Sequence, residues 1–177
     1  MKAIVIACNT ASALALDAVK DEFDLPIIGV VIPGARAAVE ATTNGKVGVV
    51  GTEATVQSGM YTKVIQGMNP KIEVIEKACP LFVPLVEEGF KEHIVTREII
   101  EYYLESMRNT DIDAMILGCT HYPLLINPIQ RFVGDKVTLV NPAYEVAKTL
   151  KQMLAQRDMA ASEDHVAQYE YYVSDMA

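Results

Sequence analysis

The chain has 177 residues, with 15 Lys+Arg against 23 Asp+Glu for a net charge of −8, and 51% of its residues fall in the hydrophobic set. With a mean hydropathy of +0.19, that balance excludes a charge-dominated disordered chain and supplies a core for one domain or two small ones. No apolar run reaches the roughly 18 residues of a membrane span, no export signal opens the chain and no dense basic stretch occurs, so a cytoplasmic protein without membrane or nucleic-acid partners is expected.

Short β-branched runs alternate with helical patterns throughout. Residues 2–7 (KAIVIA) read as a buried strand, and 11–22, rich in Ala and Leu, as one helix. A second strand spans 27–31, left through Pro33-Gly34, and 35–41 is helical. The third strand, 46–50 (KVGVV), ends in Gly51-Thr52. Residues 53–66 place Val56, Met60 and Val64 on one helix face. A weaker strand covers 71–78, and the apolar run 81–86 follows it. Residues 96–107 carry Ile99, Ile100, Tyr103, Leu104 and Met107 on one helical stripe. Strand 114–117, helix 124–132 and strand 137–140 follow. Asn141-Pro142 then supplies an N-cap and a first-turn proline for helix 143–153. After a polar tail from 158 to 164, residues 169–173 read as a last strand, with Tyr102, Tyr103, Tyr169, Tyr171 and Tyr172 as packing residues. Alternating β and α units imply an α/β fold with mainly parallel sheets and right-handed crossovers.

A weak repeat carries the chemistry. Residues 5–10 (VIACNT) and 116–121 (ILGCTH) share an apolar strand, a small residue, a cysteine, a nearby Thr and a helix start. Each would set a thiol at the C-terminal end of a strand, the edge at which open α/β sheets bind ligands. Unpaired amides at a helix start favour a thiolate and lower a cysteine pKa from about 8.5. Three cysteines are too few for a secreted disulfide scaffold. Four pairings stand open for Cys8 and Cys119. They are a disulfide, a metal site with His121, a nucleophile served by His121, and an acid and a base on opposite faces of one bound carbon centre. The last is what inversion of a stereocentre requires. Asn9, Thr10 and Thr120 could dock a carboxylate, and Gly51-Thr52 is either an anion seat or a capped turn. Glu87, in Glu87-Glu88 before Gly89, is either a solvated helix end or a partner for His121. Cys79 reads as packing, and His93 and His165 as surface.

The segments VIACNTASA (5–13), GVVIPGARAAV (29–39), VGTEAT (50–55), ACPLFVPLVEEG (78–89) and ILGCTHYPLL (116–125) resemble bacterial glutamate racemase. ACNTA is shared with aspartate and hydantoin racemases, whereas GCTHYPLL with CPLFVPLVEEG is more specific to the glutamate enzyme. The resemblance implies two pseudo-symmetric doubly wound lobes with the site between them. The first lobe would comprise 1–32 plus 142–177 and be incomplete, and the second 33–141. It implies cofactor-independent interconversion of L- and D-glutamate, supplying D-glutamate for peptidoglycan and the cell wall, and leaves a homodimer open. The family's catalytic cysteines fall on Cys8 and Cys119, with His121 and Glu87 as helpers on the Cys119 side. Its substrate contacts fall on Asn9, Thr10, Thr120 and His121, to which Thr52 is added; no metal is implied. Family members carry an upstream strand with Asp-Ser-Gly, a Pro-Tyr-Gly segment, a C-terminal helix, and Asp-Ser where this chain has Asn141-Pro142. The first lobe therefore reads as cut at both ends, and racemisation of glutamate by this polypeptide alone is not expected. An aspartate or hydantoin racemase, or an inert fragment of the fold, are the alternatives.

Overall fold

A computed structural model describes residues 1–175. Six strands form two parallel sheets. β1 (Ile4–Ile6) pairs with β2 (Ile27–Gly29), and β3 (Lys46–Gly51), β4 (Glu73–Ala78), β5 (Ala114–Gly118) and β6 (Thr138–Val140) stand in the order β4-β3-β5-β6. The nine helices of the described residues are α1 (Asn9–Leu14), α2 (Leu16–Glu22), α3 (Val31–Ala41), α4 (Glu53–Gln57), α5 (Met60–Met68), α6 (Phe82–Glu87), α7 (Ile94–Leu104), α8 (Ile126–Val133) and α9 (Pro142–Gln156).

Strand β5 is buried along its whole length because both faces of the larger sheet are covered. Met115 and Leu117 face a cluster with Phe82, Ile100, Leu104, Leu125 and Ile129. Ala114 and Ile116 face the opposite cluster, with Val47, Val49, Ala35, Ala38, Tyr61 and Ile65. The α7 stripe is as the spacing implies: Ile100, Tyr103 and Leu104 are buried, and Met107 follows in a 3-10 turn.

Several boundaries differ from the sequence reading, each for a local reason. The helix expected over 11–22 breaks at Ala15, and the break lays Leu16 against Gly29, where a Cβ would meet Leu16 Cδ2 at 2.9 Å. Helix α3 starts at Val31, so Pro33-Gly34 lies inside its first turn, where proline forfeits no helical hydrogen bond. The helix expected over 53–66 is interrupted by Gly59, whose φ of 60° is left-handed, with Ser58 Oγ accepting from the Met60 amide. That interruption re-phases the second segment. Tyr61 and Ile65 are fully buried, and the expected Val56, Met60 and Val64 stripe is only half-buried. The helix expected over 124–132 begins as a 3-10 turn (Tyr122–Leu125).

The strand expected at 169–173 does not form. No neighbouring strand pairs with it among the described residues, and Tyr169, Tyr171, Tyr172 and Val173 stand exposed. Tyr102 is exposed too, so of the five tyrosines read as packing residues only Tyr103 is in the core.

Candidate active site

Cys8 leaves β1 and caps α1 in an extended conformation, with its side chain exposed and making no cap bond. The two residues after it are held from the other sheet. The buried Asn9 accepts, at Oδ1, a 2.6 Å hydrogen bond from the Tyr61 hydroxyl on α5. Thr10 Oγ1 lies 2.9 Å from Thr52 Oγ1 and 3.0 Å from Thr55 Oγ1, and Thr52 and Thr55 close the triangle at 3.0 Å. Thr52 Oγ1 also accepts from the Thr55 amide at 3.2 Å, so Gly51-Thr52 is a capped helix start. Thr52 thus joins the two sheets while it caps α4.

Cys119 follows β5, which ends level with β3 in the pairing of Gly51 with Gly118. Its side chain is 8% exposed. Gly118 is required by close packing, since a Cβ there would come within 2.8 Å of the Val50 carbonyl oxygen and 3.3 Å of Tyr61 Cε2. His121 Nδ1 stands 3.8 Å from Cys119 Sγ and 3.2 Å from Thr120 Oγ1, and its Nε2 lies 2.5 Å from Glu87 Oε1. Glu87 is the last residue of α6, so the acid beside Gly89 is the partner of His121 as well as a helix end. A carboxylate accepts only, which puts the imidazole proton on Nε2 and turns the Nδ1 lone pair toward the sulfur and Thr120.

The helix-start argument expects a depressed thiol pKa, and for Cys119 the structure corrects it. Burial pushes this thiol up, the His121 amide and Thr120 hydroxyl pull it down, negative charge on Cys8 pushes it up again, and the Tyr122 amide pulls it down. The turn after Cys119 is 3-10 and the sulfur is buried, so desolvation outweighs the amides. The two thiol-bearing loops meet through Thr10, two residues after Cys8, whose Oγ1 bonds Thr52 next to Gly51, the register partner of Gly118. All three cysteines are free thiols, and no three His, Cys, Asp or Glu side chains converge as metal ligands among the described residues.

The remaining candidates fall outside. Cys79 is fully buried, its thiol pushed up to about 12 by burial against a smaller opposing effect of Lys77. His93 is exposed and caps α7 through Nδ1, and His165 is exposed. Two residues went unread in the sequence, Thr55 and Tyr61. Thr55 lies within the quoted VGTEAT motif, but Tyr61 was hidden by the assumption of a continuous helix.

The Asp/Glu/Hydantoin racemase family model matches residues 1–150. The chain belongs to that family. It is 43% identical over 176 residues to a glutamate racemase of Geobacter metallireducens, covering 99% of this chain and 65% of the relative. Identity to a glutamate racemase of Chlorobium phaeobacteroides is 46%, with the same coverage. Among solved structures, a glutamate racemase isoform from Bacillus anthracis superimposes with a TM-score of 0.87 at 40% identity, over 90% of this chain and 60% of that one. The Francisella tularensis glutamate racemase in complex with D-glutamate gives 0.86 at 36% identity, over 93% and 61%. This family member therefore spans about two-thirds or less of the length of the glutamate racemases it matches.

Proposed function

We propose that this chain carries the two-thiol site of a glutamate racemase, interconverting L- and D-glutamate without a cofactor and supplying D-glutamate for peptidoglycan. One observation carries the reading: Cys8 and Cys119, 111 positions apart in sequence, follow strands of different sheets, and the residues beside them are tied together by the Thr10–Thr52 hydrogen bond and by Tyr61, which bonds Asn9 and packs on Gly118. The similarity to glutamate racemases, one of them in complex with D-glutamate, supports glutamate as the substrate.

The thiolate of one cysteine takes the Cα proton and becomes a thiol. The opposite thiol gives its proton to the other face of Cα and becomes the thiolate, so the atoms balance and the configuration inverts. Cys119, pushed up by burial, is suited to hold a proton until Cα becomes basic. His121, with Nε2–H given to Glu87, offers Nδ1 to accept the Cys119 proton when that thiol must act as the base. Asn9, Thr10, Thr52 and Thr120 hold the substrate carboxylates. Charge developing on the α-carboxylate as the proton leaves is stabilised by donors already in position. The wider architecture in this reading is two pseudo-symmetric lobes, residues 1–32 with 142–177 and residues 33–141, with the substrate between them.

Incubation of the chain with D-glutamate in deuterated water tests the proposal, because deuterium enters at Cα whenever one thiol can exchange its proton. Exchange in the wild type that is abolished by one of C8S and C119S, survives in the other and is lost in the double variant supports it. Exchange of aspartate or a hydantoin in preference to glutamate reassigns the substrate. A folded sample that exchanges none of them overturns the reading.

A further inference from the structure

Tyr61 touches both cysteine-bearing strand ends. Its hydroxyl donates to Asn9 Oδ1 at 2.6 Å, one residue beyond Cys8, and its ring edge packs 3.3 Å from the Cβ position of Gly118, one residue before Cys119. We infer that Tyr61 is a positioning residue: it sets the separation of the two thiol-bearing loops and turns the Asn9 carboxamide so that its NH₂ faces the substrate.

The chemistry of the pair fixes the sense of the amide. A phenol hydroxyl donates one hydrogen, and Asn9 Oδ1 takes it, so Nδ2 with both its hydrogens must point elsewhere. Among the described residues Nδ2 meets no acceptor, and it is not sealed from solvent. Burial, with a smaller push from the Glu76 charge, drives the Tyr61 phenol pKa far upward, so the donor keeps its proton at every working pH. The ring is fully buried and lies at the junction of α3, α5 and α9: a Cβ on Gly34 would meet Pro142 Cγ at 3.0 Å and the Tyr61 hydroxyl at 3.4 Å. A donor anchored this rigidly can hold Asn9 without reorganising as charge develops at the substrate.

This inference rests on the racemase reading, and two readouts separate the failures. Kinetics of Cα exchange are measured for wild type, Y61F, N9A and the double variant. Y61F keeps the ring and should lower kcat by roughly tenfold with KM changed by less than about threefold, as expected for a misdirected donor. In the N9A background the same substitution should change kcat by less than about twofold, because the residue it positions is gone. Independently, in ¹⁵N-asparagine-labelled protein the Asn9 side-chain amide, assigned by its loss in N9A, should give one pair in wild type displaced from the other asparagines by the Tyr61 hydroxyl on its carbonyl oxygen. In Y61F that pair should move to the position of a solvent-exposed amide, with the remaining asparagine signals unchanged. An unmoved Asn9 amide, or kinetic losses from Y61F that add to those of N9A, would overturn the inference. If wild type shows no exchange, the racemase reading fails and the Asn9 spectrum alone decides the Tyr61–Asn9 link.

Discussion

Glu87 Oε1 lies 2.5 Å from His121 Nε2, joining the end of α6 to the turn after β5 across 34 residues of chain. The bond selects the histidine tautomer, and Nδ1 of the same ring stands 3.8 Å from Cys119 Sγ. The carboxylate therefore acts on the sulfur only through the imidazole between them.

Thiol labelling reads that relay directly. Native protein at pH 8 should react with a small methanethiosulfonate first at the exposed Cys8, then at Cys119, and not at Cys79, whose thiol burial holds at about 12. E87A should slow Cys119 by about three- to tenfold, equivalent to a rise of a half to one pKa unit in that thiol, and leave Cys8 unchanged. Mass spectrometry of a time course resolves the three sites. Equal rates at Cys119 in E87A and wild type would refute the relay.

Thr52 caps α4 and also bonds Thr10 across the two sheets. T52A should cost about 1 kcal/mol from the cap alone, with a further loss from the broken tie. T52S keeps the one hydroxyl that makes both the cap and the Thr10 bond, and should recover most of the loss. Urea denaturation of the three proteins provides the comparison.

Asp113 gives the fold an acid-sensitive contribution. Burial would raise its pKa, but the Thr42 and Thr43 hydroxyls and the Thr43 and Asn44 amides outweigh it and hold the carboxyl at about 2, below its ordinary 3.8. The folded-state pKa is depressed, so this stabilisation is present above pH 4 and is lost as pH falls toward 2. D113N should lower the melting temperature at pH 6, and its difference from wild type should shrink between pH 4 and 2. Two melting curves that stay parallel down to pH 2 would contradict the assignment.

Two glycines should respond oppositely. G118A forces a Cβ to within 2.8 Å of the Val50 carbonyl oxygen and must part β3 from β5, costing on the order of 1–3 kcal/mol. Gly67, near the end of α5, meets nothing within 4 Å, and G67A should add about 0.5–1 kcal/mol through helix propensity. Denaturation midpoints of both variants test the pair.

The local pattern determined the α/β class, the parallel sheets and the six strands from β1 to β6, because short β-branched runs alternating with helical stripes admit few other arrangements, although β1, expected to be buried, leaves Val5 exposed. Matching contexts around Cys8 and Cys119 were likewise visible, as a short-range property of residue order. Sequence spacing could not settle whether Glu87 reaches His121, and it left Gly51-Thr52 poised between an anion seat and a cap. Both depend on where α6 and α1 arrive in space. Nor could it find Tyr61, since a single left-handed residue at Gly59 turns the following helix and exchanges the stripe that meets the core. The strand expected at 169–173 failed for the complementary reason: alternation gives a segment the means to pair, but only a neighbouring strand supplies the hydrogen bonds. Desolvation at Cys119 is a property of everything packed around it, so the direction of its pKa shift belonged to the tertiary structure alone.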